Sequence, residues 1–283
     1  MEETIGQMIT ILTKAMSMII SSFQRFTNAL SPDGLKTFSP VVYKFCESAQ
    51  SATLLIAYVI LAFFFAKELY DAAQRASASG GGGRLSVQLI AGIMIKLVLC
   101  KLVIDNIPTI LNGIFSLAGT LGQKFVEIIG DPEINTLLDK DKIATSIANL
   151  NFWSRLLLSM FYALATTCTG IALILADVIV VARMFELYVY FVFAPIPLAT
   201  LPSQDMSQIG KNFLKSFTAT CIQGAIVLLV LGFFPMIMAA YFQQLPETDS
   251  PFLSMLPILG YSIALILAVT ASGRWAKSIM NAM

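Results

Sequence analysis

Apolar positions run through this chain in long stretches without a charge. Five stand out: Ser48–Ala66, Leu156–Ala176, Leu187–Gln204, Ser216–Pro246 and Ser250–Gly273. Each is near or above the roughly 18 residues that a membrane-crossing helix needs. A sixth stretch, Leu85–Ile104, has spanning length but carries Lys96 near its middle and Lys101 towards its end. Lys101 can snorkel to an interface, whereas Lys96 cannot do so easily. Ahead of these, Ile5, Met8, Ile9, Leu12, Met16, Ile19, Ile20 and Phe23 recur every three or four residues, with Gln7, Thr10, Lys14, Ser21 and Gln24 off the stripe. That period predicts an N-terminal amphipathic helix, fitted either to the bilayer surface or to packing within an assembly.

The connections follow from turn chemistry. Ser31–Pro40, with two Ser-Pro steps and an Asp-Gly, separates the amphipathic helix from the first span. Lys67–Arg84 contains four consecutive glycines and predicts a flexible solvated loop. From Asp105 to Asn151 the chain is mixed and predicts a region outside the bilayer or at its surface, although Asn106–Gln123 is apolar enough to cross. Phe152–Ala194 has no proline and a single glycine, so one continuous helix of about 60 Å is the simpler reading, twice the hydrocarbon thickness. The expectation is an all-α, polytopic transmembrane protein with about five crossings. Seven result if Asn106–Gln123 crosses and Asp177–Arg183 turns. The chain divides into an external segment (1–47), two spans around the glycine loop (48–104), a central external or interfacial region (105–151) and a membrane core with three further crossings (152–283).

Composition agrees. The 283 residues are 57% hydrophobic and 12% charged, against about a quarter charged in soluble domains. Glu2 and Glu3 stand where a signal peptide would carry basic residues. Net charge is +1 with dispersed Lys and Arg, which argues against a solvated duplex-binding surface. Gln243–Pro251 has no Lys or Arg, whereas Lys211 and Lys215 precede the span before it and Arg274 and Lys277 follow the span after it. Basic residues favour the cytoplasmic side, so the N-terminus is expected outside and the C-terminus in the cytoplasm.

Catalytic patterns do not appear. The chain has no histidine and no phosphate-binding glycine loop, and Cys46, Cys100, Cys168 and Cys221 lie far apart as small core residues. No catalytic residue, metal ligand or cofactor site is expected, and bound phospholipid is the one candidate ligand. Arg183 and Glu186, three residues apart in an apolar helix, can meet on one face. Asp177 projects half a turn from Glu186, towards a partner such as Lys96 on another helix. These four charges either neutralise one another to fix packing or line an aqueous path. Pro195 and Pro197 end the helix at the inner face, and Pro202 fixes an extended exit. A short amphipathic helix is then expected, with Met206, Ile209, Phe213 and Phe217 on one side and Lys211 and Lys215 exposed, forming a cytoplasmic elbow.

The block Ala182–Val230, with R-x-x-E-L-Y, A-P-I-P-L-A and G-K-N-F-L-K-S-F, resembles the core of the TrbL-like family of polytopic inner-membrane proteins in conjugative type IV secretion systems, most closely its Gram-positive branch. The resemblance implies an oligomeric channel or scaffold subunit in the bacterial inner membrane, a ring of about five copies. It further implies support for the passage of DNA, single-stranded in transit, and of protein. Expected partners are an extracellular stalk protein, other secretion-system membrane subunits and a cytoplasmic ATPase. The alternative is a secondary transporter using Asp177, Glu186 and Lys96 as an ion or proton relay. Such a transporter should show an internal repeat, which the sequence lacks.

Overall fold

The computed structural model describes residues 34–78, 87–129, 151–243 and 251–282. The amphipathic stripe of residues 1–30, the glycine run, the polar segment 130–150 and the connection 244–250 lie outside the described residues. The elements are α1 (Gly34–Phe38), α2 (Pro40–Ala78), α3 (Val87–Asp105), α4 (Ile107–Ile129), α5 (Phe152–Phe193), α6 (Pro195–Leu198), α7 (Ser207–Gln243) and α8 (Pro251–Ile279). No strand occurs among the described residues. Pro40–Ser77, Phe152–Phe193, Ser207–Met238 and Leu259–Ile279 are long and apolar enough to cross a membrane. The chain is an all-α polytopic membrane protein.

Local chemistry sets the helix ends. Ser39 caps α2, its Oγ accepting from the Val42 amide at 3.4 Å, and Pro40 takes the first helical position, where no N–H is needed. The helix does not stop where its apolar run stops. Lys67–Ala78, expected as part of a loop, is helical, because Glu, Leu, Ala, Gln and Arg are good helix formers even where charge ends the apolar stretch. Helix α3 passes into α4 at Asn106, whose amide still donates to Leu102 O at 3.2 Å, and Pro108 follows in the first turn. Ile107, Leu111, Phe115 and Ala118 form the buried stripe of α4.

Helix α5 is continuous over 42 residues, about 63 Å at the standard rise. It runs unbroken through Asp177–Arg183, so the turn that seven crossings require is not formed. The short amphipathic helix expected around Ser203–Phe217 is also corrected. Ser207 opens the 37-residue α7 directly, and Met206 and Ile209 are exposed while Phe217 is buried. No glycine or proline lies between Lys211 and Phe217 to stop the helix. At the far end of the chain Asn281 adopts the left-handed conformation (φ 47°) and closes α8.

The chain forms two compact units, each built from separate stretches. The first takes in Ala118–Ala182 and Gln223–Trp275, the second Pro32–Leu117, Arg183–Ile222 and Ala276–Met283. In the first, Ala165, Ala172 and Ala176 of α5 are buried together with Leu228, Leu265 and Val269, and small residues of this kind let helices approach closely. Two buried hydrogen bonds cross between its helices, Thr169 Oγ1 to Ser262 Oγ and Gln223 Nε2 to Ser272 Oγ, each 3.1 Å.

Candidate functional site

The second unit is organised around the prolines that end α5. A proline has no N–H, so Pro195 leaves the carbonyl of Phe191 without its helical donor. Gln50 of α2 supplies the replacement, its Nε2 donating to Phe191 O at 3.0 Å. Thr53, one turn on, donates to Val192 O at 2.6 Å. Both side chains are buried, so these bonds satisfy groups that water cannot reach. The chain does not leave the helical path at once, because Pro195 and Pro197 occupy the first turn of α6 and Ala199 N returns to Pro195 O at 3.0 Å. Pro202 is buried in the turn that follows.

The expectation that these prolines mark the charged inner end needs a correction. Successive contacts place Phe191 beside Gln50, Gln204 beside Glu68 and Asp205 beside Lys67, so α2 and the segment 191–205 run in the same direction. The proline break therefore sits alongside the middle of the charge-free run of α2, Pro197 lying with Val59, Ile60 and Phe63. The chain reaches the Lys67 end only at Asp205, after the turn.

That end is clasped by α2. Lys67 Nζ lies 2.5 Å from Asp205 Oδ2 and 3.3 Å from Asp71 Oδ2. Arg75 donates to the Gln204 side chain at 3.2 Å, and the buried Glu68 carboxylate accepts the Gln204 amide at 3.5 Å. The Lys67 ammonium holds the Asp205 carboxyl below the usual aspartate range. Gly210 lets α7 close against the same turn. A Cβ there would lie 2.9 Å from the Pro197 carbonyl oxygen and 2.8 Å from the Leu201 side chain.

Arg183 and Glu186 are brought together, Arg183 Nη1 against Glu186 Oε2, both half-buried. Glu186 is more than one half of a pair. Its Oε1 also accepts from Tyr190 at 3.0 Å and from Thr220 of α7 at 3.5 Å. Tyr190 in turn packs edge-on against Phe213 and Phe217, with ring centroids 5.6 and 6.3 Å away. Arg183 Nε is buried and makes no hydrogen bond among the described residues. Lys96 is exposed on α3 and forms no ion pair among the described residues, Asp177 is half-buried in the first unit, Lys211 is exposed and Lys215 half-buried.

Sequence reasoning did not single out another polar group in the second unit. Tyr58 of α2 donates to Asp105 Oδ1 at 2.5 Å, and Lys101 Nζ lies 2.6 Å from Asp105 Oδ2 and 5.8 Å from the Tyr58 ring centroid. Lys101 and Asp105 are four apart on one helix, a pairing that the sequence offered. Tyr58 arrives from a different helix, which no spacing announces. Among the described residues no three His, Cys, Asp or Glu side chains are grouped to hold a metal ion.

Long apolar helices, one of them broken and repaired by side chains, with polar groups paired between helices, define a polytopic membrane protein. A match to the TrbL/VirB6 plasmid conjugal transfer like protein family covers residues 29–195, more than half of the chain. The chain belongs to that family, whose members are components of conjugal transfer and type IV secretion. No curated protein matches it in sequence.

Proposed function

We propose that the chain is a non-enzymatic, oligomeric scaffold or channel subunit of a conjugative type IV secretion system, supporting passage of single-stranded DNA and protein across the inner membrane. The observation that carries the oligomeric part is the length of α5. At about 63 Å it exceeds the roughly 30 Å hydrocarbon core twofold. Large apolar side chains nevertheless stand exposed along all of it, from Trp153 and Met160 through Ile174 to Phe185 and Phe193. The part beyond the bilayer needs protein cover, and neighbouring copies in a ring of about five supply it in this reading. A stalk protein outside, other membrane subunits and an ATPase inside complete the assembly, and phospholipid is the only bound group it calls for.

The test is the mass of the detergent-extracted particle, measured beside transfer frequency from donor cells lacking the gene. The expected result is a particle several times the 30.8 kDa chain and loss of transfer restored by the intact gene. A monomer with undiminished transfer overturns the reading and favours a transporter. For orientation, a cysteine at Ser250 in a background without the four native cysteines should label from outside and one at Ser207 should not. The reverse pattern inverts the topology.

A further inference from the structure

Two contacts show that α2 runs antiparallel to α3 and α4: Tyr58 meets Asp105, and Tyr43 accepts from Asn112 at 3.0 Å. The register of α3 follows from the Tyr58 contact, since α4 beyond Asn106 departs from it. Helix α2 is free of charge between Glu47 and Lys67, twenty residues apart, a rise of about 30 Å that matches the hydrocarbon core with no slack. Tyr58 sits near the middle of that interval. Asp105 and Lys101 therefore lie near mid-depth, while Lys96, nine residues before Asp105, comes level with Lys67 nine residues after Tyr58. This reverses the simple reading of α3, in which Lys96 is the deep lysine and Lys101 the interfacial one.

At that depth a charge facing acyl chains is strongly disfavoured, and membrane charges face a protein interior or water. Yet the Lys101 side chain is 60% exposed and that of Asp105 33%. They are paired with each other and with Tyr58 but are not covered. The buried side of α3, carrying Ile93, Cys100 and Ile104, lies about 60–140° around the helix from them.

We propose that the face of α3 bearing Lys101 and Asp105 borders a water-filled path at mid-depth in the assembled protein, with Tyr58, Lys101 and Asp105 as its polar station. This rests on the scaffold or channel reading and adds to it which surface is wet. The station holds one cation and one anion, so it is hydrated without net charge and suits a large hydrophilic cargo that must not be retained.

Val98 and Leu99 provide the test. They differ by one residue in depth, and both are exposed, but Val98 lies about 60° around the helix from Lys101 and Leu99 about 160°. In the native assembly, without the four native cysteines, Val98→Cys should react with a charged, membrane-impermeant methanethiosulfonate at least about tenfold faster than Leu99→Cys, since only a hydrated thiol ionises. The reagent is applied to intact cells and to inverted vesicles. Equal slow reaction, or faster reaction at Leu99→Cys, overturns the inference, and with normal transfer it does so while leaving the proposed function standing. Rapid labelling at Val98→Cys without any block of transfer supports the wet face and counts against a channel role. Asp105→Asn leaves Lys101 charged, and unchanged levels of inserted protein are expected at a wet face. Loss of insertion that is restored by adding Lys101→Met would place the face against lipid or apolar protein and overturn the inference.

Discussion

The two units solve the same packing problem by different means. In the first, Pro235 and Pro257 lie inside α7 and α8, the helices continue past them, and small and aliphatic residues do the packing with two hydrogen bonds between short side chains. In the second, prolines break the path of α5, and side chains of α2 take over for the lost backbone donors while ionic groups clasp the turn. Every one of these prolines leaves the carbonyl four residues earlier without its helical donor, and where the chain also turns, at Pro195, side chains of another helix bond the carbonyls. The comparison predicts that polar substitutions matter more in the second unit than in the first.

The largest effect is expected at Glu186. Glu186→Gln strips Arg183 of its counter-ion and should destabilise the detergent-solubilised protein by about 2–3 kcal/mol, below the range for a fully buried pair because both side chains are partly exposed. Arg183→Gln should cost less, since the carboxylate keeps Tyr190 and Thr220. Thermal unfolding of both variants and of the double variant decides this, and equal damage from the two single changes would argue against the pairing. Next comes Gly210→Ala, at about 2 kcal/mol, because the Pro197 carbonyl cannot move aside without disturbing α6. Gln50→Ala should follow at about 1–2 kcal/mol, the cost of an orphaned carbonyl at Phe191. In the first unit Gln223→Leu should cost only about 0.6 kcal/mol, typical of a hydrogen bond between membrane helices. If it costs as much as Gln50→Ala, the contrast between the units fails.

The smallest effect concerns pH. Asp205 has a lowered pKa in the folded state, so its contribution is complete above the ordinary aspartate range and is lost only as pH falls through the lowered value. Acidification from neutral to mildly acidic conditions should leave the clasp intact, which a cross-link between cysteines at Arg75 and Gln204 would report.

Much of this was legible in the sequence. Charge-free runs gave the apolar helices, the absence of proline gave the continuous α5, and the spacing of three gave Arg183 and Glu186. What could not be read was tertiary. Gln50 and Thr53 carry no signal in the sequence, and only the fold shows that they face carbonyls at the proline break. Glu68 looked like a solvated charge after a span, yet it is buried against Gln204. The motifs that resemble the family lie in Ala182–Val230, whereas the family match runs from 29 to 195 and shares with that block only the stretch from Ala182 to Pro195.

The repair of the broken helix has a consequence for how the protein is made. Gln50 and Thr53 precede the carbonyls they serve by 141 and 139 residues. Translation therefore delivers the donors first, and α2 is already synthesised when the ribosome releases the segment that cannot complete its own hydrogen bonds. Insertion of the proline-terminated end of α5 is then a docking event onto a waiting template. A rearranged gene that encodes α2 after α5 would produce the same residues in an order that leaves those carbonyls unattended at the moment of membrane entry.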